Sequence, residues 1–266
     1  MREGLLLVVA ACAVGCASPT AVEVPPGLLI AHALGGIDGV TYSNSHDAFQ
    51  ASYAAGYRWF EVDLSLSRDG DLVCFHDGFE RELGLDRPLV EVATREFLAR
   101  RYAGRFRLMT LVRLLALLDE HRDAVLVTDT KHWSEPVATA FIAAVRTAPE
   151  AVRRRLVLQF YHPDNLEHLQ RIEREVGPLG PRIFTLYQVV IGLEPLVELV
   201  ERERLAVVTI GEERFQPVVA ERLHAAGARV LVHTVNDPAR MRVLAEQGVD
   251  GFYTDWLRPA GGDRSG

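Results

Sequence analysis

Residues 59–76 read WFEVDLSLSRDGDLVCFH, two short apolar runs joined by the turn sequence SRDGD. The first run, 59–66, carries Glu61 and Asp63 two positions apart, so on a strand both carboxylates point to the same face. The second run, 72–76, ends in His76. The linker is too short for a helix. This stretch therefore predicts two consecutive strands with ionisable groups near their ends.

The rest of the chain alternates apolar runs with longer helical patterns. Strands are predicted at 28–32, 59–66, 72–76, 125–130, 156–160, 182–187, 206–210, 229–235 and 251–254. Helices are predicted at 46–56, 108–121, 136–148, 163–176, 195–203, 217–227 and 238–248. Such alternation predicts a parallel sheet with right-handed crossovers.

About eight strand–helix units in one domain favour an α/β fold of the irregular (β/α)₈ TIM type. Nine strands are one too many for that barrel, so either the barrel is irregular after residue 66 or one strand is peripheral. An open doubly wound sheet is the alternative, but no G-x-G-x-x-G follows the first strand.

Length and composition fit one globular domain, here placed at 28–258. The chain has 266 residues, 48% hydrophobic and 24% charged. Its net charge of −7 argues against a nucleic-acid partner, since such proteins usually show a basic surface. Cys74 is the single cysteine of this domain and is expected to be a small buried hydrophobe.

The first 16 residues have the pattern of a secretory signal peptide, a basic start followed by a short apolar core and small residues. The sequence AVGC at 13–16 resembles a bacterial lipobox, which implies lipidation at Cys16. We therefore expect export and a lipid anchor in the bacterial cell envelope, or otherwise a periplasmic or secreted protein. Residues 17–27 would be a short tether and 259–266 a disordered tail.

A second acidic position lies in LVTDTKHW at 126–133, where Asp129 ends a strand and Lys131 follows on the same face. Catalytic groups of (β/α)₈ barrels gather at the C-terminal ends of the strands. Three carboxylates there predict a site for a hard divalent cation, Mg²⁺ or Ca²⁺. The competing interpretation is that Glu61 or Asp63 pairs with an arginine such as Arg58.

Two histidines, His32 in IAHALGG and His76, also end predicted strands. Cleaving a phosphodiester requires one group to take a proton and another to give one, and imidazoles do both near neutral pH. Lys131 would neutralise a phosphate oxygen, or form an ion pair with Asp129 or Glu61. The set predicts metal-dependent phosphodiester cleavage.

These motifs, in this order, resemble the glycerophosphodiester phosphodiesterase family within the phospholipase C-like barrels. The matching stretches are AHALGG at 31–36, GYRWFEVD at 56–63, SRDGDLVCFHD at 67–77, Asp129-x-Lys131, Phe160, Thr234-Val235-Asn236 and GVDGFYTD at 248–255.

The resemblance implies metal ligation by Glu61, Asp63 and Asp129, and acid–base catalysis by His32 and His76. It further implies substrate or phosphate contacts from Lys131, Asn44, Phe160 and His233. The substrate would be a small glycerophosphodiester or a related lipid-derived phosphodiester. Phe160, Tyr187 and Trp133 lie at strand ends, where we expect them to line the pocket, although core packing explains Phe160 equally well.

The chain departs from the family pattern at Ala33, which usually is arginine, at Asp129, which usually is glutamate, and at His233, which usually is tryptophan. Without the arginine, Asp129-x-Lys131 is also similar to the sphingomyelinase D branch. Two alternatives therefore stay open. One is a phospholipase or sphingomyelinase D-like enzyme that forms a cyclic phosphate, and the other is a barrel that binds phosphate ligands without turnover.

Overall fold

A computed structural model describes residues 22–259 of the chain. The predicted signal peptide, the lipobox with Cys16 and residues 260–266 lie outside the described residues. The first described residues approach the barrel from its N-terminal end. The amide of Gly27 donates to the carbonyl of Asp250 at 2.8 Å, and Val22 and Val24 pack against apolar side chains of that end.

The described strands are β1 (Leu28–Ala31), β2 (Trp59–Leu66), β3 (Leu72–Cys74), β4 (Arg101–Tyr102), β5 (Phe106–Arg107), β6 (Val125–Asp129), β7 (Leu156–Phe160), β8 (Arg182–Thr185), β9 (Val207–Gly211), β10 (Arg229–His233) and β11 (Gly251–Thr254). The helices are α1 (His46–Ala54), α2 (Thr94–Leu98), α3 (Leu111–Glu120), α4 (Glu135–Arg146), α5 (Glu150–Arg153), α6 (Leu166–Val176), α7 (Leu193–Glu203), α8 (Pro217–Ala225) and α9 (Pro238–Glu246).

Eight parallel strands close into a barrel, which confirms the predicted fold class. The order is β1-β11-β10-β9-β8-β7-β6-β2, and pairing of β1 with β2 closes the ring. The ninth predicted strand is β3, which pairs antiparallel with the upper half of β2 outside the ring. SRDGD forms the connecting turn, with Gly70 at φ 86° and the Ser67 amide donating to the Asp71 carbonyl at 2.9 Å.

The segment between β3 and α3 forms a small accessory layer that the sequence did not predict. It contains α2, the β4–β5 hairpin and short 3₁₀ turns, and it has an apolar cluster of its own that includes Phe75, Leu89 and Phe97. Its elements span two to five residues each. Elements this short show no hydrophobic periodicity, so pattern reasoning does not detect them.

Two apolar layers position the site. Residues such as Trp59, Val127 and Leu231 fill the N-terminal end of the barrel interior. Phe60 and Val62 point outward into the core between strands and helices. Because side chains alternate along a strand, Glu61 and Asp63 face the interior above Trp59. In the described part of the chain, no helix is long and apolar enough to span a membrane.

Candidate active site

Glu61, Asp63 and Asp129 converge at the C-terminal end of the barrel. In the register of β2 and β6, Asp63 lies directly beside Asp129. One carboxylate oxygen from each residue lies within 4.8 Å of the other two, and all three residues are buried. The competing interpretation fails for Arg58, because its guanidinium pairs with Asp123 at 2.6 Å on the outside of the barrel.

Glu61 carries a buried oxygen with no hydrogen-bond partner in the described part of the chain. Its Oε2 accepts a hydrogen bond from the backbone amide of Ala33 at 2.7 Å, whereas Oε1 has no partner among residues 22–259. Burial, followed by the negative charge of Asp63, raises the pKa of Glu61 to about 8. A carboxylate in this setting needs a proton or a cation for its free oxygen.

Asp63 is oriented by Asn44. The Asn44 amide nitrogen donates to Oδ2 of Asp63 at 2.9 Å, and its amide oxygen accepts from the Asp63 backbone amide at 3.0 Å. Burial alone would raise the pKa of Asp63, but the charges of Lys131 and His76 outweigh it and lower the pKa. Asp63 is therefore held as a carboxylate.

Apart from the imidazoles, Lys131 is the one positively charged side chain among the described residues that line the cleft. Its ammonium pairs with Asp129, lies 3.3 Å from Oδ1 of Asp63 and donates to the Tyr161 hydroxyl at 3.0 Å. The Tyr161 hydroxyl in turn donates to Asp129 at 2.7 Å. Burial lowers the pKa of Lys131, but Asp129 and Asp63 raise it by more, so the side chain stays charged.

His32 is held by a carboxylate. Its Nδ1 donates to Oδ1 of Asp255 at 2.9 Å, and Asn236 donates from its amide nitrogen to Oδ2 of the same group at 2.7 Å. Burial lowers the pKa of His32, but the hydrogen bond to Asp255 and the charges of Glu61 and Asp63 outweigh it and raise the pKa to about 9. The contacts favour the imidazolium form.

His76 is held by a neutral acceptor. Its Nδ1 lies 2.6 Å from the carbonyl oxygen of Asp77, and because a carbonyl only accepts, Nδ1 carries the proton. In the neutral ring Nε2 is then unprotonated, and it lies 3.9 Å from Oδ1 of Asp63. The two imidazoles therefore flank the carboxylates with different Nδ1 partners, a carboxylate for His32 and a backbone carbonyl for His76.

One cleft of about 490 Å³ is lined by His32, His76, Glu61, Asp129 and Lys131. Its wall also includes Tyr187 and His233. The His233 ring packs edge-on against Tyr187 at 5.5 Å between centroids, and its Nε2 has no hydrogen-bond partner in the described chain. Burial, followed by the charges of His32 and Lys131, lowers the pKa of His233 to about 4, so this imidazole is neutral.

Three of the candidate residues do not reach the cleft, which corrects the sequence-based expectation for them. Phe160 is fully buried against Phe184 in the core outside the barrel. Trp133 packs in that same core and donates from Nε1 to the Gln159 carbonyl at 3.0 Å. Asn44 is fully buried, and both ends of its amide are used on Asp63, so it supports a carboxylate and is not available to substrate. Cys74 is buried, as predicted.

Several site residues were not identified from the sequence. Asp255 and Asn236 belong to stretches quoted above for the resemblance, but nothing in those stretches shows that they form a chain of hydrogen bonds to His32. Tyr42 and Tyr161 stand in no recognised motif. Their placement depends on loop geometry and on the closure of the barrel, and neither leaves a periodic signal.

The three carboxylates fit a hard divalent cation. They supply three oxygen ligands on one side of the cleft, and the unpaired Oε1 of Glu61 is a buried acceptor that a cation would satisfy. The Lys131 ammonium offsets part of their negative charge through its contacts with Asp63 and Asp129.

Comparison with known proteins places the chain among phosphodiesterases. The model of the glycerophosphoryl diester phosphodiesterase family matches residues 35–258. No curated protein sequence matches the chain significantly.

Three solved structures illustrate the likeness in fold. An Oleispira antarctica phosphodiesterase in complex with its product sn-glycerol-3-phosphate is 20% identical, covers 86% of this chain and 93% of its own, and has a TM-score of 0.72. A Thermotoga maritima glycerophosphodiester phosphodiesterase is 22% identical to this chain. The alignment covers 86% of this chain and 94% of the relative, with a TM-score of 0.67. A Parabacteroides distasonis glycerophosphodiester phosphodiesterase is 18% identical to this chain. The alignment covers 88% of this chain and 94% of the relative, with a TM-score of 0.70.

Proposed function

We propose a specific reaction for this chain, which belongs to the glycerophosphoryl diester phosphodiesterase family and is a phosphoric diester hydrolase. It hydrolyses a small glycerophosphodiester, or a related lipid-derived diester, by general acid–base catalysis with two histidines. The observation that carries this proposal is the placement of His32 and His76 beside a buried carboxylate triad in a single cleft.

Glu61, Asp63 and Asp129 would hold Mg²⁺ or Ca²⁺. A cation bound there would withdraw charge from a phosphodiester oxygen and favour attack by a hydroxyl. Lys131, two residues after the end of β6, lines the same cleft and is held by Asp63, Asp129 and Tyr161, so it can pair with a second phosphate oxygen without losing its orientation.

The two imidazoles take different roles because their Nδ1 partners differ. Asp255 favours a proton on both nitrogens of His32, which suits the donation of a proton from Nε2 to the leaving alkoxide. In the neutral ring, the bond from Nδ1 to the Asp77 carbonyl leaves Nε2 of His76 unprotonated, which suits removal of a proton from the attacking hydroxyl. After one turnover the protons are exchanged, and solvent resets the pair.

The substrate class rests on the lining of the cleft and on a structural relative. The Oleispira antarctica phosphodiesterase holds sn-glycerol-3-phosphate. In the present chain, Tyr187, His233 and Gln159 surround the space beside the catalytic groups. Hydroxyl and amide groups of this kind suit the glycerol portion of a phosphodiester, and His233 is placed to contact it.

Export and attachment of Cys16 to a membrane lipid remain part of the proposal. They are supported by the signal-peptide pattern and by AVGC at 13–16. Metabolic labelling with a palmitate analogue, with Cys16→Ser as the control, tests the attachment. Labelling of the variant, or no labelling of the parent chain, contradicts it.

Phosphorus NMR tests the reaction itself. The purified protein is incubated with glycerophosphocholine, glycerophosphoglycerol and a lysophospholipid, with Mg²⁺, with Ca²⁺ and with a chelator. We expect a phosphomonoester signal that requires the cation. A cyclic phosphate as the final product instead supports the sphingomyelinase D-like alternative, and an unchanged diester under every condition contradicts the proposed function.

A further inference from the structure

The two catalytic imidazoles are supported to very different degrees. His32 is tied to a buried carboxylate, which is itself held by Asn236. Among residues 22–259, His76 has one partner within hydrogen-bonding distance, the carbonyl of the next residue, and about a quarter of its side chain is exposed. A bond to an adjacent residue restrains the ring weakly, because both partners belong to the same loop.

Two aromatic side chains, Tyr42 and Phe79, restrain the His76 ring further. The ring of Tyr42 lies edge-on to His76 at 5.6 Å between centroids and edge-on to His32 at 4.8 Å. Phe79 stacks on Tyr42 at 5.1 Å and contacts His76 at 5.1 Å. Tyr42 thus contacts both imidazoles from one side, and aromatic pairs at such separations stabilise a defined orientation.

Tyr42 is itself held in an unusual backbone conformation. Its φ is 57° and that of Asn44 is 45°, values that side-chain-bearing residues adopt rarely. Ser43, Asn44 and Ser45 are fully buried, and the hydroxyls of Ser43 and Ser45 lie 2.9 Å apart. Buried polar anchors therefore fix the backbone that presents the Tyr42 ring, and strain of this kind persists where the surroundings over-determine it.

We propose that Tyr42 is a positioning residue whose ring, backed by Phe79, holds the imidazole of His76 in its working place relative to His32 and the carboxylate triad. This inference rests on the proposed function for its catalytic meaning. The ring makes the contacts, so the hydroxyl is dispensable for this role.

Two variants separate the contribution of the ring from that of the hydroxyl. Tyr42→Phe keeps the ring and is expected to retain kcat within about twofold. Tyr42→Leu removes it and is expected to lower kcat by roughly 10- to 100-fold with KM changed less than about threefold, since a misplacement of about 1 Å can cost that much. Bis(p-nitrophenyl) phosphate is the substrate, with Mg²⁺ at saturation.

Tyr53→Leu is the matched control. Tyr53 also packs edge-on to a histidine, His121 at 4.3 Å, but on the outside of the barrel. This variant reports the loss of stability that follows from removing such a ring, and kcat is expected to stay within about twofold of the parent. Thermal unfolding of all variants is measured alongside.

A double-mutant cycle with His76→Ala tests whether Tyr42 acts through His76. If it does, adding Tyr42→Leu to His76→Ala lowers the residual rate by less than about twofold, because coupled residues are not additive. Full additivity, a normal kcat in Tyr42→Leu, or an equal loss in Tyr42→Phe overturns the proposal.

Imidazole NMR tests positioning without turnover. We expect the His76 ring signals of Tyr42→Phe to match the parent, and those of Tyr42→Leu to shift or broaden while signals of His121 do not change. Unchanged His76 signals in Tyr42→Leu overturn the positioning role. Absence of any diesterase activity in the parent protein contradicts the proposed function instead. In that case the comparison of His76 ring signals still tests whether Tyr42 positions His76.

Discussion

His32 and Asp255 are joined by a 2.9 Å hydrogen bond although 223 positions separate them in the chain. His32 follows β1 and Asp255 follows β11, and these strands are parallel neighbours, with Ala31 beside Thr254. The contact therefore forms where the last strand of the barrel meets the first. Placement of this imidazole therefore depends directly on closure of the fold.

Asp255→Asn should move the alkaline limb of the activity profile to lower pH. The carboxylate of Asp255 raises the pKa of His32, so its neutralisation lowers that pKa, and the proton needed by the leaving group is lost at lower pH. The measurement is kcat/KM against pH with glycerophosphocholine. Asn236→Ala, which removes a support of Asp255, should shift the limb in the same direction by less. An unchanged alkaline limb in Asp255→Asn contradicts the role of His32.

The two histidines should differ in their dependence on the leaving group. p-Nitrophenolate departs without a proton, so His32→Ala should lose much less activity on bis(p-nitrophenyl) phosphate than on glycerophosphocholine. His76→Ala should lose roughly 10²- to 10⁴-fold on both, because attack still needs a base. Paired kcat/KM values test this. The reverse pattern would exchange the two roles, and equal losses on both substrates in both variants would contradict the division.

The metal-free protein should lose stability as pH rises through the range of about 4.5 to 8. The pKa of Glu61 is raised from 4.5 to about 8 in the folded chain. Between these values the folded state binds more protons than the unfolded state, so the contribution of this group falls with increasing pH. Glu61→Gln should flatten the dependence in chelator, as measured by urea unfolding. The same slope in parent and variant contradicts this assignment.

Lys131→Met should reduce turnover while leaving cation binding in place. Removal of a charged group that faces the phosphate typically costs about 10²- to 10³-fold in kcat. The variant also leaves Asp63 and Asp129 without their cationic neighbour, so affinity for Mg²⁺ should stay equal or increase. Steady-state rates and calorimetric titration check the two parts. Normal kcat in Lys131→Met shows that this ammonium does not act on the substrate.

The sequence predicted the barrel because its signals are local and repeated. Runs of Val, Leu and Phe alternate with helical stretches, and pairs such as Glu61 and Asp63 share a face by strand geometry alone. The carboxylate triad followed from that alternation, since the C-terminal ends of parallel strands meet at one end of a barrel. For the surplus strand, SRDGD was too short to hold a helix, and of the two interpretations left open, an irregular barrel or a peripheral strand, the structure shows the peripheral one.

Side chains that act through loops were harder to predict. Phe160 ends a strand as a pocket residue would, but side chains alternate along β7, and Phe160 lies on the outward face with Leu156 and Leu158, packed against Phe184. Asn44 was expected at the phosphate, and its buried amide instead supports Asp63. Tyr42 was missed because its position depends on two left-handed residues in one loop, and no hydrophobic period reports such a conformation.

Anomalous diffraction from crystals grown with Mn²⁺ in place of Mg²⁺ is the most direct test of the central claim, that three carboxylates from two strands hold one cation. The account predicts a single strong peak at bonding distance, about 2.0 to 2.6 Å, from oxygens of Glu61, Asp63 and Asp129, and loss of that peak in Glu61→Gln. A catalytically active crystal with no peak between these residues, or with its only peak elsewhere, contradicts it.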